Sequence, residues 1–441
     1  MAANSRRAGP GTVLLYLLAA LAVVLAIWRF ATGIGSVSNL NQGYPWGIWI
    51  GFDILAGIAL AAGGFVVAAL VHIFGGRKYH ALVRPAILTA LLGYLLFIAG
   101  LLVDIGRPWT FWHMIIYWHH ESPMFEVGWC VMMYTTVLIL EFAPVVLQKM
   151  KRQALMDAWR KYVPWFAWLI LTLFTFAMTQ SLGWVAAIGG VLLLFNILVA
   201  AGAIRQDPET PTILIMAGVM FSTMHQSSLG TVFTMVPHKL HSLWYSPILP
   251  VLFFVSAVMA GLAMVIVESM WSARHFKRSP ETHLLRGIAR GLTWAIILYL
   301  GVKIVDLAVR GAVVEAFAFT PKAFAFWIEV AIGLVIPLAI LMQEETLNSN
   351  RGLFWAAFLV VIGLIVNRLN VAVTGIEAVY PIPYTPRWSE IAISVGIVSA
   401  GILAYREVMT RFPVMEDPGT VGLEAPGGRS SLGQSMGRAS R

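Results

Sequence analysis

Cysteine is almost absent from this sequence, which has only Cys130 among its 441 residues. One thiol cannot form an intrachain disulfide, and it is too few for an iron–sulfur cluster or a cysteine-rich zinc site. We therefore expect no iron–sulfur cluster in this chain. If electrons arrive through metal clusters, another subunit must carry those clusters.

Charge is also scarce: charged residues make up 12% of the chain, hydrophobic residues make up 59%, and the mean hydropathy is +0.80. This composition is typical of a polytopic membrane protein. The net charge of +9 does not indicate nucleic-acid binding, because the basic residues lie in short segments between apolar runs. The lipid bilayer is the expected surrounding, and nucleic acid is not an expected partner.

Apolar runs long enough to span a bilayer as a helix, which takes ~20 residues, recur twelve times. The sequence thus predicts an all-α polytopic membrane protein with about twelve transmembrane helices, or ten at the fewest. The runs are 13–33, 47–73, 84–104, 124–147, 163–182, 184–204, 211–233, 247–269, 288–310, 323–343, 353–370 and 389–407. A cleaved signal peptide is the alternative for the first run, but that run ends in Trp28-Arg29-Phe30 and not in a small-residue cleavage site.

Three regions follow from these runs: a basic head at 1–12, a membrane domain at 13–411 and a tail at 412–441 that is rich in Gly, Ser and Pro. We expect the tail to be disordered. Within the membrane domain, the pair 163–204 is a possible extra helical hairpin whose ends suit Pro164 and Gly183.

The distribution of Lys and Arg predicts the orientation, because cytoplasmic loops carry an excess of both. Most of the 30 basic residues fall on one side of the predicted spans if both termini are cytoplasmic. The aromatic-rich loops then face outward; they are 34–46, 104–123, 234–246 and 371–388.

Ionisable residues within the runs lie mostly toward this outer side, and each costs at least ~2.5–3.5 kcal/mol at bilayer depth unless it has a partner. They are Asp53, Asp104, Glu126, His225, Lys303, Asp306, Glu329, Arg368 and Glu390. Structural pairs are one explanation: Lys303 with Asp306 at i, i+3, and Arg368 with Glu390. Glycine and alanine residues after Asp53 on its helix face predict that its side chain points into a helix bundle.

His72 and Glu141 are the exceptions, since both lie nearer the cytoplasmic side. They belong either to a proton route from inside, which would continue through Lys303 and Asp306, or to helix ends that reach the headgroups.

A one-sided set of buried acids and a histidine suits a site where a quinone takes up two electrons and two protons. Burial and neighbouring charges tune carboxylate and imidazole pKa values toward neutrality, as proton transfer requires. We predict that His225, Asp53, Asp104 and Glu126 line one pocket and carry the proton steps. The alternative for His225 is a buried histidine that is satisfied by neighbouring Ser and Thr hydroxyls.

The stretch Asp104 to Glu126, DIGRPWTFWHMIIYWHHESPMFE, is the densest cluster of polar and aromatic groups. Candidate quinone-binding residues are Trp112, His113 and Tyr117 here, together with His225 and Gln226. Candidate partner-docking residues are Arg107, His119, His120 and Glu121.

The same stretch has structural alternatives. Trp109, Trp112 and Trp118 are also suited to be interfacial anchors, and Arg107 to be an ion-pair partner of Asp104. The histidines beside Glu121 do not match a zinc spacing, so no metal site is expected. Haem requires two histidines on facing helices, and only His225 is deep in a span, so no haem is expected.

Several motifs resemble the integral membrane subunit of hydrogenase-2-type nickel–iron hydrogenases, within the NrfD-like, polysulfide-reductase-type family. The resemblance covers about residues 13–411. The motifs are Asp104-Ile-Gly-Arg-Pro-Trp, His113-Met-Ile-Ile-Tyr-Trp-His-His-Glu121-Ser, Met124-Phe-Glu-Val-Gly-Trp-Cys130, Met224-His-Gln-Ser-Ser-Leu-Gly230, His241-Ser-Leu-Trp-Tyr-Ser-Pro-Ile-Leu-Pro250 and Asn367-Arg-Leu-Asn-Val371.

This resemblance implies a quinone-reactive anchor without haem in a bacterial inner membrane. It also implies a periplasmic ferredoxin-like subunit with four iron–sulfur clusters, and beyond it the large and small subunits of a nickel–iron hydrogenase. The chain would pass electrons to menaquinone or ubiquinone near its outer surface and would not itself split H2. The quinone role falls on His225, Asp104 and Glu126, and the hairpin at 163–204 departs from the family pattern.

Other functions stay open at this stage. Related subunits serve sulfur-compound oxidoreductases and the alternative complex III, and a purely structural anchor would need no quinone site. A twelve-helix secondary transporter would show related halves and a site at the midplane, whereas no half-to-half repeat is evident and the charges lie off the midplane.

Overall fold

In a computed structural model of the chain, the described residues are 9–204, 206, 210–377 and 383–415. They are almost entirely helical, and β pairing among them is limited to one isolated bridge between Leu240 and Ile376. The all-α class is confirmed. Most of the predicted head (1–8) and tail (416–441) lies outside the described residues.

Twelve long helices within the described residues coincide with the twelve apolar runs. They are α1 Pro10–Thr32, α2 Trp49–His72, α3 Arg77–Asp104, α4 Pro123–Met150, α5 Gln153–Thr179, α6 Leu182–Ala200, α7 Thr212–Thr234, α8 Leu249–His275, α9 Thr282–Val309, α10 Pro321–Leu341, α11 Asn350–Thr374 and α12 Trp388–Arg411. All except α7 are long and apolar enough to cross a membrane. The polar run Ser222–Ser228 lowers the hydropathy of α7, which is equally long and largely buried. The chain is an integral multi-pass membrane protein.

Local sequence explains where these helices begin and end. Ser122 and Thr320 cap α4 and α10 by accepting from backbone N–H groups, and proline follows each cap, the arrangement favoured at helix starts. Lys151, Gln180 and Lys277 adopt positive φ angles directly after α4 and α5 and near the end of α8, as residues at helix C-termini commonly do.

The hairpin α5–α6 forms, but its predicted boundary at Pro164 was wrong, because Pro164 lies inside α5. A proline inside a helix frees the carbonyl four residues earlier, and membrane helices tolerate this when other groups can satisfy that carbonyl. Asn196 of α6 donates to the Pro164 carbonyl at 3.0 Å, and the Trp168 indole donates to the Gly189 carbonyl at 2.8 Å. These bonds fix the two helices to each other.

The helices form two four-helix bundles, α2-α3-α4-α7 (the first bundle) and α8-α9-α10-α11 (the second bundle), while α1 and α12 pair and pack against α3. Small residues allow close approach at the joint between the bundles: a methyl group on Gly63 of α2 would lie 3.0 Å from the Gly261 carbonyl of α8. Likewise, a methyl on Gly93 of α3 would lie 2.7 Å from Ala61 of α2. The predicted role of the small residues after Asp53 is confirmed.

Loop residues 33–48, 105–122, 235–248, 310–320, 375–377 and 383–387 lie at one end of the helices, which we call the predicted outer end. His241 N–H donates to the Gly375 carbonyl at 2.8 Å, and Asn39 N–H donates to the Glu390 carboxylate at 2.5 Å. These contacts place loops from distant parts of the chain together, as the alternating topology requires. That this end faces outward stays a prediction from the charge distribution.

Candidate functional site

His225 lies on α7 in the first bundle, with no exposed surface. Its Nδ1 atom is 2.9 Å from the Tyr94 hydroxyl of α3, and its ring lies 5.7 Å from the ring of Phe97. Nε2 has no hydrogen-bond partner among the described residues. The alternative, in which neighbouring Ser and Thr hydroxyls satisfy His225, was wrong: its partner is Tyr94, and Ser227 and Ser228 donate to backbone carbonyls of their own helix.

Further polar groups surround the Tyr94–His225 pair between α3, α4 and α7. The Tyr134 ring of α4 meets the Tyr94 ring edge to face at 4.7 Å. The hydroxyls of Tyr134 and Ser222 are buried without a hydrogen-bond partner among the described residues. Glu141 lies beside Gly218, since a methyl there would be 3.2 Å from its carboxylate. This column of hydroxyl, imidazole and carboxyl groups has the chemistry to hold and pass a proton.

Gln226, a candidate quinone ligand, is also fully buried and donates to the Ile58 carbonyl of α2 at 3.0 Å. Its side-chain oxygen has no partner among the described residues. His72 lies at the end of α2 that is far from the predicted outer end, and its ring is 6.0 Å from that of His80. The proposed inner route through His72 and Glu141 therefore has its two residues in different surroundings, and it stays a prediction.

A second buried group lies nearer the predicted outer end, where α1, α2, α3 and α12 meet. Asp53 is 6% exposed, as predicted, and accepts a hydrogen bond of 2.6 Å from Ser394 of α12. The part of α2 that carries it, Trp49–Ala56, is π-helical, a form often found at functional sites. Asp104 interacts electrostatically with Asp53 and with Arg29, which is 2% exposed on α1.

The expected ion pair between Arg107 and Asp104 was wrong. Arg107 is exposed on the loop, whereas Arg29 is the cation that acts on Asp104 and donates to the adjacent Ile105 carbonyl. Glu390 is likewise buried nearby; it accepts from the Tyr384 hydroxyl, and the pKa of Tyr384 is raised by burial and by this carboxylate. The site thus contains an arginine, Arg29, to which sequence analysis had assigned no role.

The four predicted catalytic groups have different partners among the described residues, and whether they line one pocket stays a prediction. Asp53 and Asp104 lie together, His225 lies with Tyr94, and Glu126 is partly exposed in the first turn of α4. Similar depth along the membrane suggested a common pocket. Depth does not specify the direction in which a side chain points from its helix. Residues at similar depth can therefore have different neighbours.

The loop 105–122 presents most of its predicted residues to the surface. Trp112 and Tyr117 are 51% and 64% exposed, and the His113 ring lies between them at 4.2 and 5.6 Å. Trp118 is different, because it packs against Trp129. The candidate docking residues are all exposed; they are Arg107, His119, His120 and Glu121.

The second bundle holds an extensive buried polar network that sequence analysis had placed only in part. Lys303 of α9 pairs with Glu329 of α10 at 3.0 Å. Glu329 also accepts from Trp244 at 2.8 Å, Asn367 at 2.7 Å and Asn370 at 3.0 Å. The carboxylate of Glu329 therefore accepts from four donors on three segments: α9, the loop 235–248 and α11.

Both predicted structural pairs were wrong. Asp306 does not pair with Lys303; it accepts from Arg310 at 2.7 Å and from Ser246 at 2.6 Å. Arg368 does not pair with Glu390; it donates to the Asn367 and Ser256 side chains, both at 2.7 Å, and lies 3.7 Å from the centre of the Phe253 ring. The observed partners lie on the same helix or at its end, on the loop 235–248 and on α8.

Sequence reasoning missed Tyr94, Tyr134, Trp244 and Ser394. Aromatic and hydroxyl residues are common in membrane helices as packing groups, so nothing in a single sequence distinguishes these. The one available signal was the motif around Trp244, which was used for the resemblance and not for a role.

With this geometry known, comparison with other proteins becomes informative. The family described as "Polysulphide reductase, NrfD" matches residues 36–379, which is more than half of the chain. The chain belongs to the NrfD family. The predicted resemblance is confirmed.

Individual relatives of this NrfD-family chain span nearly its whole length. A protein of Nitratidesulfovibrio vulgaris Hildenborough is 34% identical over 417 residues, covering 92% of this chain and 94% of the relative. The "Probable Ni/Fe-hydrogenase 2 b-type cytochrome subunit" of Escherichia coli K12 is 30% identical over 403 residues, covering 90% of each. The "Menaquinone reductase, integral membrane subunit" of N. vulgaris is 28% identical, covering 85% and 84%.

The name of the E. coli relative includes a b-type cytochrome, which raises the question whether the residues of this chain fit a haem. A b-type haem needs a pair of axial ligands facing each other across the bundle. Among the described residues, the aromatic rings that contact His225 are those of Tyr94 and Phe97, and no second histidine is among them. The described residues around His225 do not fit a bis-histidine haem.

Proposed function

We propose that this chain is the quinone-reactive membrane subunit of a periplasm-facing respiratory oxidoreductase. It would take electrons from an iron–sulfur subunit docked at the predicted outer end. The most favoured electron source is H2, oxidised by the large and small subunits of a nickel–iron hydrogenase. The observation that carries the proposal is the buried Asp53–Asp104–Arg29 group directly below the exposed loop 105–122.

Three features support this location. The loop above the group exposes aromatic, cationic and histidine side chains that suit a docked protein surface. One Asp104 carboxylate oxygen is buried without a hydrogen-bond partner among the described residues, so it can receive or donate a proton. A relative named for menaquinone reduction and one named for hydrogenase 2 cover most of this chain.

In this proposal the quinone is an exchangeable substrate that enters from the bilayer. Its reduction takes two electrons from the partner's clusters and two protons, which forms the quinol. Asp104 and Asp53 would hold these protons. The positive charge of Arg29 would stabilise the ionised form of these carboxylates, so the two need not both be protonated. The Tyr94–His225 pair lies deeper in the first bundle. It would resupply protons to Asp104 and Asp53 through the hydroxyl, imidazole and carboxyl groups between α3, α4 and α7.

The test compares electron transfer to quinone with electron transfer to a soluble dye in the purified complex. Asp104→Asn keeps the size of the side chain and removes its titration. We expect quinone reduction to fall by about 10²-fold or more, the usual contribution of an acid–base group, while dye reduction at the clusters persists. Asp157→Asn, an exposed carboxylate at the opposite end, is the matched control and should leave both rates unchanged.

Equal loss of both activities in Asp104→Asn would contradict the proposal, because it would indicate disrupted docking or folding. Unchanged quinone reduction would also contradict it. His225→Gln and Glu126→Gln, tested in the same way, would show whether the remaining predicted groups take part.

A second candidate is a membrane subunit of another complex of the NrfD family, such as a sulfur-compound oxidoreductase or the alternative complex III. It is favoured by the relative named as a menaquinone reductase subunit, whose name does not include a hydrogenase. Purifying the native complex and identifying its metals distinguishes them. Nickel in the catalytic subunit supports hydrogenase, whereas molybdenum or several haems would redirect the assignment.

The cellular location follows from the same proposal. An outward-facing redox partner and a quinone pool place the chain in a bacterial inner membrane with both termini in the cytoplasm. Cysteine labelling of loop positions 119 and 277 from each side of the membrane tests this. Position 119 should react only from the periplasm and position 277 only from the cytoplasm.

A further inference from the structure

The second bundle contains a cation that lacks a matching carboxylate. Arg368 is 1% exposed on α11, and its Nη atoms donate to Asn367 and Ser256, which are neutral. Its Nε–H is buried without an acceptor among the described residues. An arginine remains protonated in proteins, so this positive charge persists at bilayer depth.

The two neighbouring carboxylates do not balance this charge, because each already pairs with another cation. Glu329 accepts from Lys303 and from three neutral donors, and Asp306 accepts from Arg310 and Ser246. The described cluster therefore has three cations, Lys303, Arg310 and Arg368, against these two carboxylates. One positive charge is in excess, and an uncompensated charge in this environment is costly.

A small cavity lies beside this excess charge. It is lined by Tyr299, Lys303, Arg310 and Arg368 among others, and its volume is about 10 Å³. Roughly one water-sized sphere occupies such a volume. The site therefore has room for one small ligand, such as a water molecule or a monatomic ion, and is too small for a quinone ring.

We propose that this cavity binds a single halide ion, physiologically chloride, held by the Arg368 Nε–H. The anion would cancel the excess charge of the cluster and would accept the hydrogen bond that Arg368 is left to donate. Nothing in this proposal depends on the quinone chemistry of the first bundle. Its consequence is that the stability of the second bundle depends on halide.

The experiment uses the purified full chain in detergent, transferred into sodium gluconate. Sodium chloride, bromide or sulfate is then added at constant ionic strength while thermal unfolding is followed. We expect Tm to rise and saturate with chloride and bromide but not with sulfate, because ligands that bind only the folded state stabilise it. Crystals grown in bromide should give one anomalous peak within hydrogen-bonding distance of Arg368 Nε.

Arg368→Gln removes the charge while keeping a polar side chain, and it should weaken the apparent halide affinity roughly tenfold or more, as expected for loss of a charge-assisted hydrogen bond. Lys322→Gln, which removes a partly exposed cation that pairs with Glu377, is the control and should keep the response. If Arg368→Gln does not fold, the bromide peak in the unsubstituted protein decides.

Three outcomes would overturn the proposal. The first is a Tm that is independent of the anion together with no bromide peak in the cavity, which would mean that water fills it. The second is an equal halide response in Arg368→Gln. The third is tyrosinate absorption at neutral pH that disappears in Tyr299→Phe, which would identify the Tyr299 phenolate as the counter-charge.

Discussion

Replacing one member of the buried Lys303–Glu329 pair at a time should show which charge costs more free energy of unfolding when it is left without its partner. Breaking a buried ion pair by removing one member costs about 3–5 kcal/mol, because the other charge is left uncompensated. The two single variants should differ within this range. Lys303→Met leaves Glu329 with three hydrogen-bond donors and with Arg368 nearby, so its cost should lie near the lower end.

Glu329→Gln should cost more, near the upper end of the same range. It removes the negative charge, replaces one acceptor oxygen by an NH2 donor, and leaves Lys303 and Arg368 as neighbouring buried cations. In the double variant neither member is left alone, so its cost should be smaller than the sum of the single costs by about 2–3 kcal/mol.

Unfolding in increasing SDS, followed by the helical circular dichroism signal, measures these free energies. Glu407→Gln, in the exposed pair with Arg411 at the end of α12, is the control and should cost less than about 1 kcal/mol. The reasoning is refuted if Lys303→Met proves more destabilising than Glu329→Gln, or if the double variant is additive.

Three further predictions address packing, hydrogen bonding and pH. Gly363→Ala should destabilise by about 1–3 kcal/mol, because the new methyl would lie 2.0 Å from a glycine Cα of α10, whereas Gly301→Ala, which meets nothing within 4 Å, should be neutral or stabilising in the same unfolding assay. Tyr94→Phe should cost about 1–3 kcal/mol by leaving the buried His225 Nδ1 without its partner; an unchanged midpoint would contradict that bond. Burial and a nearby lysine lower the pKa of His241, so the folded chain binds fewer protons than the unfolded one just below pH 6.5. Stability should therefore fall as pH drops from 6.5 toward the lowered pKa, and this dependence should weaken in His241→Asn.

The positions of the helices were predictable because hydrophobic runs at bilayer length have a single stable solution in lipid, in which every backbone group is bonded within its own helix. The burial of Asp53 was predictable for a related reason, since small residues on its helix face marked the side that packs. The one clear boundary error, Pro164, arose because a proline that ends a soluble helix can be accommodated inside a membrane helix.

Partners of the buried charges were not predictable. Sequence spacing favoured a pair between Lys303 and Asp306. Lys303 instead pairs with Glu329 of α10, and Asp306 pairs with Arg310, one turn further along the chain. The pair formed by Tyr94 and His225 joins residues 131 positions apart. Such choices depend on which helix faces are turned toward each other.

The sequence by itself determined that this chain crosses the membrane about twelve times, that it belongs with NrfD-like subunits, and that its ionisable groups gather toward one end. Hydropathy, charge bias and motif order carry this information along the chain. Only the tertiary structure decided that His225 bonds to Tyr94, that Arg29 lies with the two aspartates, and that the Glu329 carboxylate accepts from four donors on three segments. The physical reason is that a hydrogen bond needs two atoms within about 3 Å, and that distance is set by the packing of helices distant in sequence.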